Sequence, residues 1–158
     1  MFRFIDDLLA LNDNSEFEKC HHEIYPPELE LKKENDNNLS SSFLDISITI
    51  QDNKYITSLY DKRDDFPFSI VRMPYLDSNI PSKIFYSAYG AEILRSARVT
   101  NNKINFEHHC KILVQRMLKQ GGRRLTINKT LTKVFGRHFT SFSTFYSTSL
   151  TFCEAVLA

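Results

Sequence analysis

The sequence predicts an α+β fold in which a strand-rich first part precedes a helical second part. The runs Ile46-Ser47-Ile48-Thr49-Ile50 and Tyr55-Ile56-Thr57-Ser58-Leu59 flank Gln51-Asp52-Asn53-Lys54, which is typical of a β-hairpin. From Pro81 onward, the apolar residues recur at spacings of three and four, which indicates amphipathic helices. The chain has 158 residues, 42% hydrophobic and 13% aromatic, which fits one domain with a modest core.

The first dozen residues place two adjacent carboxylates, Asp6 and Asp7, inside an otherwise apolar run. We interpret the run as a hairpin that turns at this pair and whose faces are both mostly buried. Two carboxylates about 4 Å apart repel by up to ~4 kcal/mol at an effective dielectric of about 20, so a nearly dry turn favours a divalent cation. The alternatives are an ordinary turn, or a short helix over residues 8–11 capped by Asp7. One face of the hairpin would carry Phe2, Phe4, Leu9 and Leu11.

Three segments lie between this hairpin and the next. Residues 15–24 predict a short helix capped by Asn14 or Ser15 and ended by Pro26-Pro27. Residues 28–32 alternate in the manner of a strand with one buried face, and residues 34–42 are polar and predict a loop. In the hairpin that follows, a turn at Asp52-Asn53 pairs residue 50 with 55, 48 with 57 and 46 with 59.

Three helices are predicted after a charged connector over residues 61–80. The first begins at Pro81 and carries the apolar stripe Ile84, Phe85, Ala88, Tyr89, Ile93, Leu94 and Ala97. The second runs from about Asn105 to Gln120 and ends at Gly121-Gly122. Its stripe is Phe106, Cys110, Leu113 and Met117. The third carries Ile127, Leu131 and Val134 and ends before Gly136.

The net charge of +1 conceals a gradient along the chain. Residues 1–50 carry 4 basic and 11 acidic side chains, whereas residues 101–158 carry 9 basic and 2 acidic ones. An acidic end suits cations and a basic end suits phosphates. The last segment departs from both, because residues 139–153 carry no charge and eight of these fifteen residues are Ser or Thr. We expect residues 139–158 to be a strand-prone tail outside the domain.

The hairpin and the two segments after it resemble the reverse transcriptases. Phe4-Ile5-Asp6-Asp7 is similar to the aromatic-x-Asp-Asp box of their catalytic hairpin, with Phe where Tyr is commoner. Residues 28–35 resemble the strand and lysine that follow that hairpin. Residues 42–46 resemble the start of the primer-grip hairpin, best as it occurs in Penelope-like and related retroelement polymerases. The resemblance covers residues 1–138 and has three boxes in the family's order.

The resemblance implies a partial polymerase palm over residues 1–60, made of two β-hairpins and a short helix. A helical thumb of about three helices would follow over residues 81–138, after the connector. Asp6 and Asp7 would hold Mg²⁺ or Mn²⁺, and Lys32 or Lys33, with Lys33 as the candidate, would donate a proton to the pyrophosphate. Phe43 and Leu44 would project toward the primer terminus.

In a thumb, the basic helices would follow the backbone of an RNA–DNA hybrid without reading its bases. The implied partners are an RNA or DNA template-primer and a deoxynucleotide. A solvated basic face is the alternative interpretation of the same charges. The candidate nucleic-acid-binding residues are Lys111, Arg116, Lys119, Arg123 and Arg124, with Gln115, Lys129 and Lys133 on the same surface.

Two-metal nucleotidyl transfer requires carboxylates from two strands, and only one pair matches here. We therefore expect a reverse transcriptase fragment that lacks the first aspartate strand and the fingers and is inactive alone. The alternative is a non-catalytic module that binds nucleic acid or a partner protein. Three cysteines and no apolar signal or membrane-spanning segment predict an intracellular protein, nuclear or cytoplasmic. The apolar hairpin edge and the tail predict self-association, and we expect residues 43–138 to behave better than the whole chain.

Overall fold

The computed structural model describes residues 1–11, 13, 15–35, 37–68, 70–71 and 73–158, and for Asp64 it describes the main chain alone. The described part of the chain is α+β, as predicted, with two small antiparallel sheets, six α-helices and a 3-10 helix over Lys62–Asp65. The strands are β1 (Phe2–Phe4), β2 (Asp7–Leu9), β3 (Ser40–Phe43), β4 (Ile46–Gln51) and β5 (Lys54–Leu59). The helices are α1 (Glu16–Ile24), α2 (Ser82–Val99), α3 (Lys103–Lys119), α4 (Arg124–Arg137), α5 (Phe139–Phe142) and α6 (Ser149–Leu157).

The first hairpin forms, but it turns one residue earlier than predicted. Phe2 pairs with Leu9 and Phe4 with Asp7, so the turn lies at Ile5-Asp6 rather than at Asp6-Asp7. Each residue of β1 therefore pairs with a residue two positions earlier than predicted. Because side chains alternate between the two faces of a strand, this shift leaves each side chain on its predicted face. The predicted burial is wrong, because Leu9 is buried whereas the Phe2 and Phe4 side chains are more than half exposed. The alternative of a helix over residues 8–11 is also wrong, since β2 runs to Leu9.

Helix α1 confirms the predicted short helix and its end before the two prolines. Ser15 does not cap it through its side chain, because it has φ 63°; instead the Asp13 carboxylate accepts a hydrogen bond of 2.8 Å from the Phe17 N–H. Asn14, the other predicted cap, lies outside the described residues. The strand predicted over residues 28–32 is wrong, since this segment forms a turn and a bend followed by residues without regular secondary structure. Its two leucines provide a period-two pattern, but a strand also needs a neighbour to pair with.

The second sheet has the strand order β3-β4-β5. Its β4–β5 hairpin confirms the predicted pairing of Ile50 with Tyr55, Ile48 with Thr57 and Ile46 with Leu59. The turn residues Asp52 and Asn53 both have positive φ, which Asp and Asn tolerate well.

Most of strand β3 lies in residues 34–42, which were predicted to form a loop. It pairs with the start of β4 through a turn at Leu44-Asp45, in which Leu44 has φ 56°. Phe43 is therefore the last residue of β3, and Leu44 lies in a turn between two strands rather than at the start of a hairpin. A run of serines carries little strand signal by itself, so the pairing with β4 decides this element.

The β-sheet and the helices are joined by Asn101, which follows α2. Its side chain accepts a hydrogen bond of 2.9 Å from the Thr57 N–H and donates one of 2.8 Å to the Tyr55 carbonyl. The Thr57 hydroxyl donates to the Val99 carbonyl at 2.7 Å, so the outer edge of β5 is partly covered. Asp45 adds an ion pair with Arg95, with 2.7 Å between its carboxylate and the guanidinium.

Helices α2, α3 and α4 pack their predicted apolar stripes into one core. Phe106, Cys110, Leu113 and Met117 of α3 are all buried. In α2, Phe85, Tyr89 and Ile93 are buried, whereas Ile84 of the predicted stripe is half exposed. Helix α3 ends as predicted: Gly121 has φ 91°, and the Gly122 N–H donates to the Met117 carbonyl at 2.8 Å. Helix α4 does not end before Gly136 but continues to Arg137.

The expectation of a strand-prone tail outside the helical part is wrong. Residues 139–157 form α5, a turn and α6, and they pack in the same core as α2–α4. The Phe152 ring lies 5.9 Å from Phe106, 5.8 Å from Phe135 and 5.2 Å from Phe142 between centroids. The tail thereby supplies Phe142, Phe145, Tyr146, Phe152, Cys153 and Val156 to the buried core.

Candidate nucleic-acid interface

The two candidate metal ligands are exposed and lie on the first hairpin. Asp7 begins β2 opposite Phe4, and Asp6 is the second residue of the turn. Because both carboxylates face solvent, the nearly dry turn from which a cation was inferred is absent at this hairpin. Among the residues that the structure describes, no group of three or more His, Cys, Asp or Glu side chains is placed to hold a metal ion.

The candidate proton donor, Lys33, is bound to helix α1. Its ammonium group lies 2.6 Å from Oε1 of Glu18, and this lysine holds the pKa of the Glu18 carboxyl below its usual range. Both side chains are about half exposed. Phe43 is partly buried at the end of β3, and Leu44 is exposed in the following turn. Phe43 and Leu44 belong to the second sheet and its first turn, whereas Asp6 and Asp7 belong to the first hairpin.

The basic residues do not form one continuous stripe. At about 100° per residue, Lys111 and Arg116 lie about 140° apart around α3, so they face different directions. Arg116 and Lys119 line a groove beside the connector. Arg123 and Arg124 lie at the start of α4, where the Arg124 guanidinium donates to the Leu157 carbonyl. The single surface that was expected is therefore divided into at least three parts.

The outer face of α4 carries a separate basic row. Lys129, Lys133 and Arg137 are exposed and spaced by four residues, which places them on the same side of the helix. The opposite side of α4 is buried through Ile127 and Leu131. Arg137 is the member of this row that sequence reasoning missed, because the helix was expected to end before Gly136.

A groove of about 550 Å³ lies between the connector and helices α2 and α3. Its outer wall is formed by apolar connector residues that sequence reasoning did not assign to any site: Phe66, Pro67, Phe68, Ile70, Val71 and Met73. Its inner wall carries polar groups of the helices, Tyr89, Glu92, His109, Arg116, Lys119 and Gln120. The aromatic and apolar residues around the two prolines of the connector are the sequence signal that marks this wall.

Gln120, which caps α3, holds the connector against the helices. Its side-chain amide donates a hydrogen bond of 3.0 Å to the Met73 carbonyl. Its main-chain carbonyl accepts a hydrogen bond of 2.9 Å from the Leu76 N–H. The Tyr89 hydroxyl donates to the Gln120 side-chain oxygen, and burial raises the pKa of this phenol. These contacts fix the inner end of the groove.

The carboxylates that line the groove are paired within the protein. Arg63 donates from Nε to Asp61 at 2.6 Å and makes a second contact with the same carboxylate. Glu92 is 8% exposed and lies 3.4 Å from the Arg95 guanidinium. Arg116 and Lys119 are basic side chains of the same inner wall.

The helices of the described residues are too short or too polar to cross a lipid bilayer. Comparison of the chain with protein-family models, curated proteins and solved structures found no match.

Proposed function

We propose that residues 1–158 are part of a reverse transcriptase-type domain and that their helical region binds the backbone of nucleic acid without reading its sequence. The observation that carries this proposal is the charge of residues 81–158, which include twelve Lys or Arg and three Asp or Glu, a net charge of +9. A large excess of positive charge on helices attracts phosphates independently of base sequence, even where it is divided among several faces.

The few acidic groups of this region do little to offset the positive charge. Glu92 is nearly buried against Arg95. Glu107 accepts a hydrogen bond from the Tyr146 hydroxyl and lies 3.8 Å from the Lys103 ammonium group. Glu154 is the remaining carboxylate, on the exposed side of α6. The helical region therefore carries a large excess of positive over negative charge, as phosphate-binding proteins do.

The polymerase part of the proposal rests on the three boxes in family order. Asp6 and Asp7 are the candidate ligands for Mg²⁺ or Mn²⁺, and in this mechanism a second strand must supply further carboxylates. We expect purified residues 1–158 not to extend a primed template with either metal. Incorporation of a nucleotide that Asp6→Asn abolishes would show instead that this chain is a complete catalyst.

The binding proposal is tested by titrating a fluorescent RNA–DNA hybrid at several salt concentrations. Affinity should fall steeply with salt, and each phosphate contact that is removed should flatten the slope of log K against log[salt] by about 0.7–0.9. Arg124 is left unchanged because it bonds to the Leu157 carbonyl. The test variant replaces with Gln the four residues Lys111, Arg116, Lys119 and Arg123.

The matched control replaces four exposed lysines from the first half of the chain. It should keep the affinity and salt slope of the original protein, since those lysines lie outside the helical region. Salt-independent binding, or equal losses in the two variants, would contradict the proposal and favour a partner-binding module. The control positions are Lys19, Lys32, Lys54 and Lys62.

A further inference from the structure

We infer that the helical region has two phosphate-binding faces on opposite sides of its core, so that one chain holds two segments of duplex nucleic acid at once. The first face is the outward side of α3, and the second is the outward side of α4. This inference rests on the proposed function and extends it, because it assigns two duplex segments rather than one to each chain.

The outward side of α4 carries the exposed row of Lys129, Lys133 and Arg137. The eight residues from the first to the last cation span about 12 Å of helix, and each strand of a duplex has one phosphate per ~3.4 Å of its axis. The row therefore faces about three or four phosphates of one strand. Among the described side chains, no carboxylate lies within ion-pair distance of these three cations. Phosphates can bind here without displacing a partner within the chain.

The outward side of α3 carries a similar row. Lys111, Gln115 and Lys119 are exposed and spaced by four residues, which places them on the same side of the helix. Gln115, in the middle of the row, lies about 160° around α3 from the buried Met117. The described ion pairs include neither lysine of this row. The row therefore presents two lysines and an amide to solvent.

Helices α3 and α4 lie on opposite sides of a shared core. Helices α2 and α6 each pack against both of them. The Phe106 ring of α3 and the Phe135 ring of α4 each lie 5.4 to 5.9 Å from the rings of Phe142 and Phe152. The buried sides of α3 and α4 therefore point toward the same two rings, and their outward sides point away from each other.

A duplex is too stiff to reach both faces. Duplex DNA bends smoothly only over lengths of about 150 base pairs, whereas each row is about 12 Å long. A short duplex that lies along one face therefore leaves the other face open to a second duplex.

Gly136 gives a phosphate backbone room to approach the second face. It is exposed beside Lys133 and Arg137, and an added Cβ would meet no atom within 4 Å outside its chain neighbours and the helix backbone. Its φ lies outside the left-handed range, so the helix does not need glycine at this position. Glycine weakens a helix interior relative to alanine, but it lets a ligand lie close to the helix.

The test asks whether one chain joins two duplexes. An RNA–DNA hybrid of about ten base pairs, roughly one helical turn, is fixed on beads, and an identical fluorescent hybrid is added with the full-length protein. The protein should retain the fluorescent hybrid on the beads and bind two hybrids per chain in analytical ultracentrifugation. The α4 variant, with Lys129, Lys133 and Arg137 changed to Gln, should bind one hybrid and retain at least about tenfold less fluorescence.

Two further variants separate the faces. Gly136→Glu removes no cation and fits the open space around this residue, and it should cause the same loss of the second hybrid. The four-residue variant described above, which removes cations from α3 and the turn after it, should bind one hybrid through α4. Its slope of log K against log[salt] should be about −2 to −3, as three phosphate contacts predict.

The matched control changes three exposed lysines of the first half to Gln and should bind two hybrids per chain. Retention of the fluorescent hybrid by both α4 variants would overturn the inference, because two associated chains would then be joining the hybrids. If the original protein binds one hybrid per chain in a salt-dependent manner, the second face is ruled out and the proposed function stands. If it binds no hybrid, the proposed function is ruled out as well. The control positions are Lys19, Lys54 and Lys62.

Discussion

Replacing Phe152 with alanine should destabilise the protein strongly, although this residue lies in a segment that the sequence placed outside the domain. The Phe152 side chain has no exposed surface, and its ring lies 5.2 to 5.9 Å from those of Phe106, Phe135, Phe142 and Tyr146. Truncation of a fully buried Phe removes its burial and leaves a cavity, which costs about 3–5 kcal/mol. Domains of this size are stable by about 5–15 kcal/mol, so the loss is a large part of the total.

The matched control is Leu150→Ala on the same helix. Leu150 is 67% exposed, so its replacement should change the free energy of unfolding by less than about 0.5 kcal/mol. The assay is urea denaturation followed by circular dichroism, with the slope of the transition compared among the three proteins.

Deletion of residues 139–158 should lower the free energy of unfolding more than Phe152→Ala does, because it removes six buried members of the core. Because of these buried residues, we now expect the whole chain to be more stable than residues 43–138.

A small effect would refute the reasoning. If Phe152→Ala and Leu150→Ala both change the free energy of unfolding by less than about 0.5 kcal/mol, α6 does not pack on α3 and α4 in solution. A chain ending at residue 138 that melts cooperatively at the same temperature as the whole protein would lead to the same conclusion.

Three further results are expected. Burial raises the pKa of the Cys110 thiol, so above about pH 8.5 only the unfolded chain loses this proton. The free energy of unfolding, measured by urea denaturation, should therefore fall as the pH rises above this value. Cys110→Ala should make that fall smaller. Asn101→Ala should cost about 1–2 kcal/mol and speed hydrogen exchange at the Thr57 amide while exchange in the core of α3 stays slow. Light scattering should show concentration-dependent self-association that Phe2→Ser with Phe4→Ser reduces; an unchanged mass would place the contact elsewhere.

Local rules were sufficient for the elements whose partners are close in sequence. The β4–β5 register followed from a turn at Asp52-Asn53 between two strand-like runs, and the core face of α3 followed from apolar spacing that ends at Gly121-Gly122. The tail was missed because its many Ser and Thr residues obscured a helical spacing. Its buried residues recur at three and four, and the Thr148 side chain caps α6 by accepting from the Thr151 N–H at 3.3 Å.

The candidate site was less predictable, since it depends on how distant segments meet. The charge pattern predicted that the basic residues share one surface. The helical rotation of about 100° per residue instead places Lys111 and Arg116 on different sides of α3. The groove could not be found from sequence because the connector and the α3 residues of the inner wall are separated in the chain by the whole of α2, and the contact of Gln120 with Met73 brings them together.

The same geometry separates the two activities that the resemblance combines. Two-metal catalysis needs carboxylates held in fixed positions, and fixed positions come from packing. Asp6 and Asp7 lie on a hairpin whose Phe2 and Phe4 rings are more than half exposed, so that hairpin needs a covering surface before it can hold them rigidly. The helices need no such cover, because their core is already filled by residues from α2 to α6. We therefore expect binding of nucleic acid to persist in a protein that shows no primer extension, and Asp6→Asn to leave that binding unchanged.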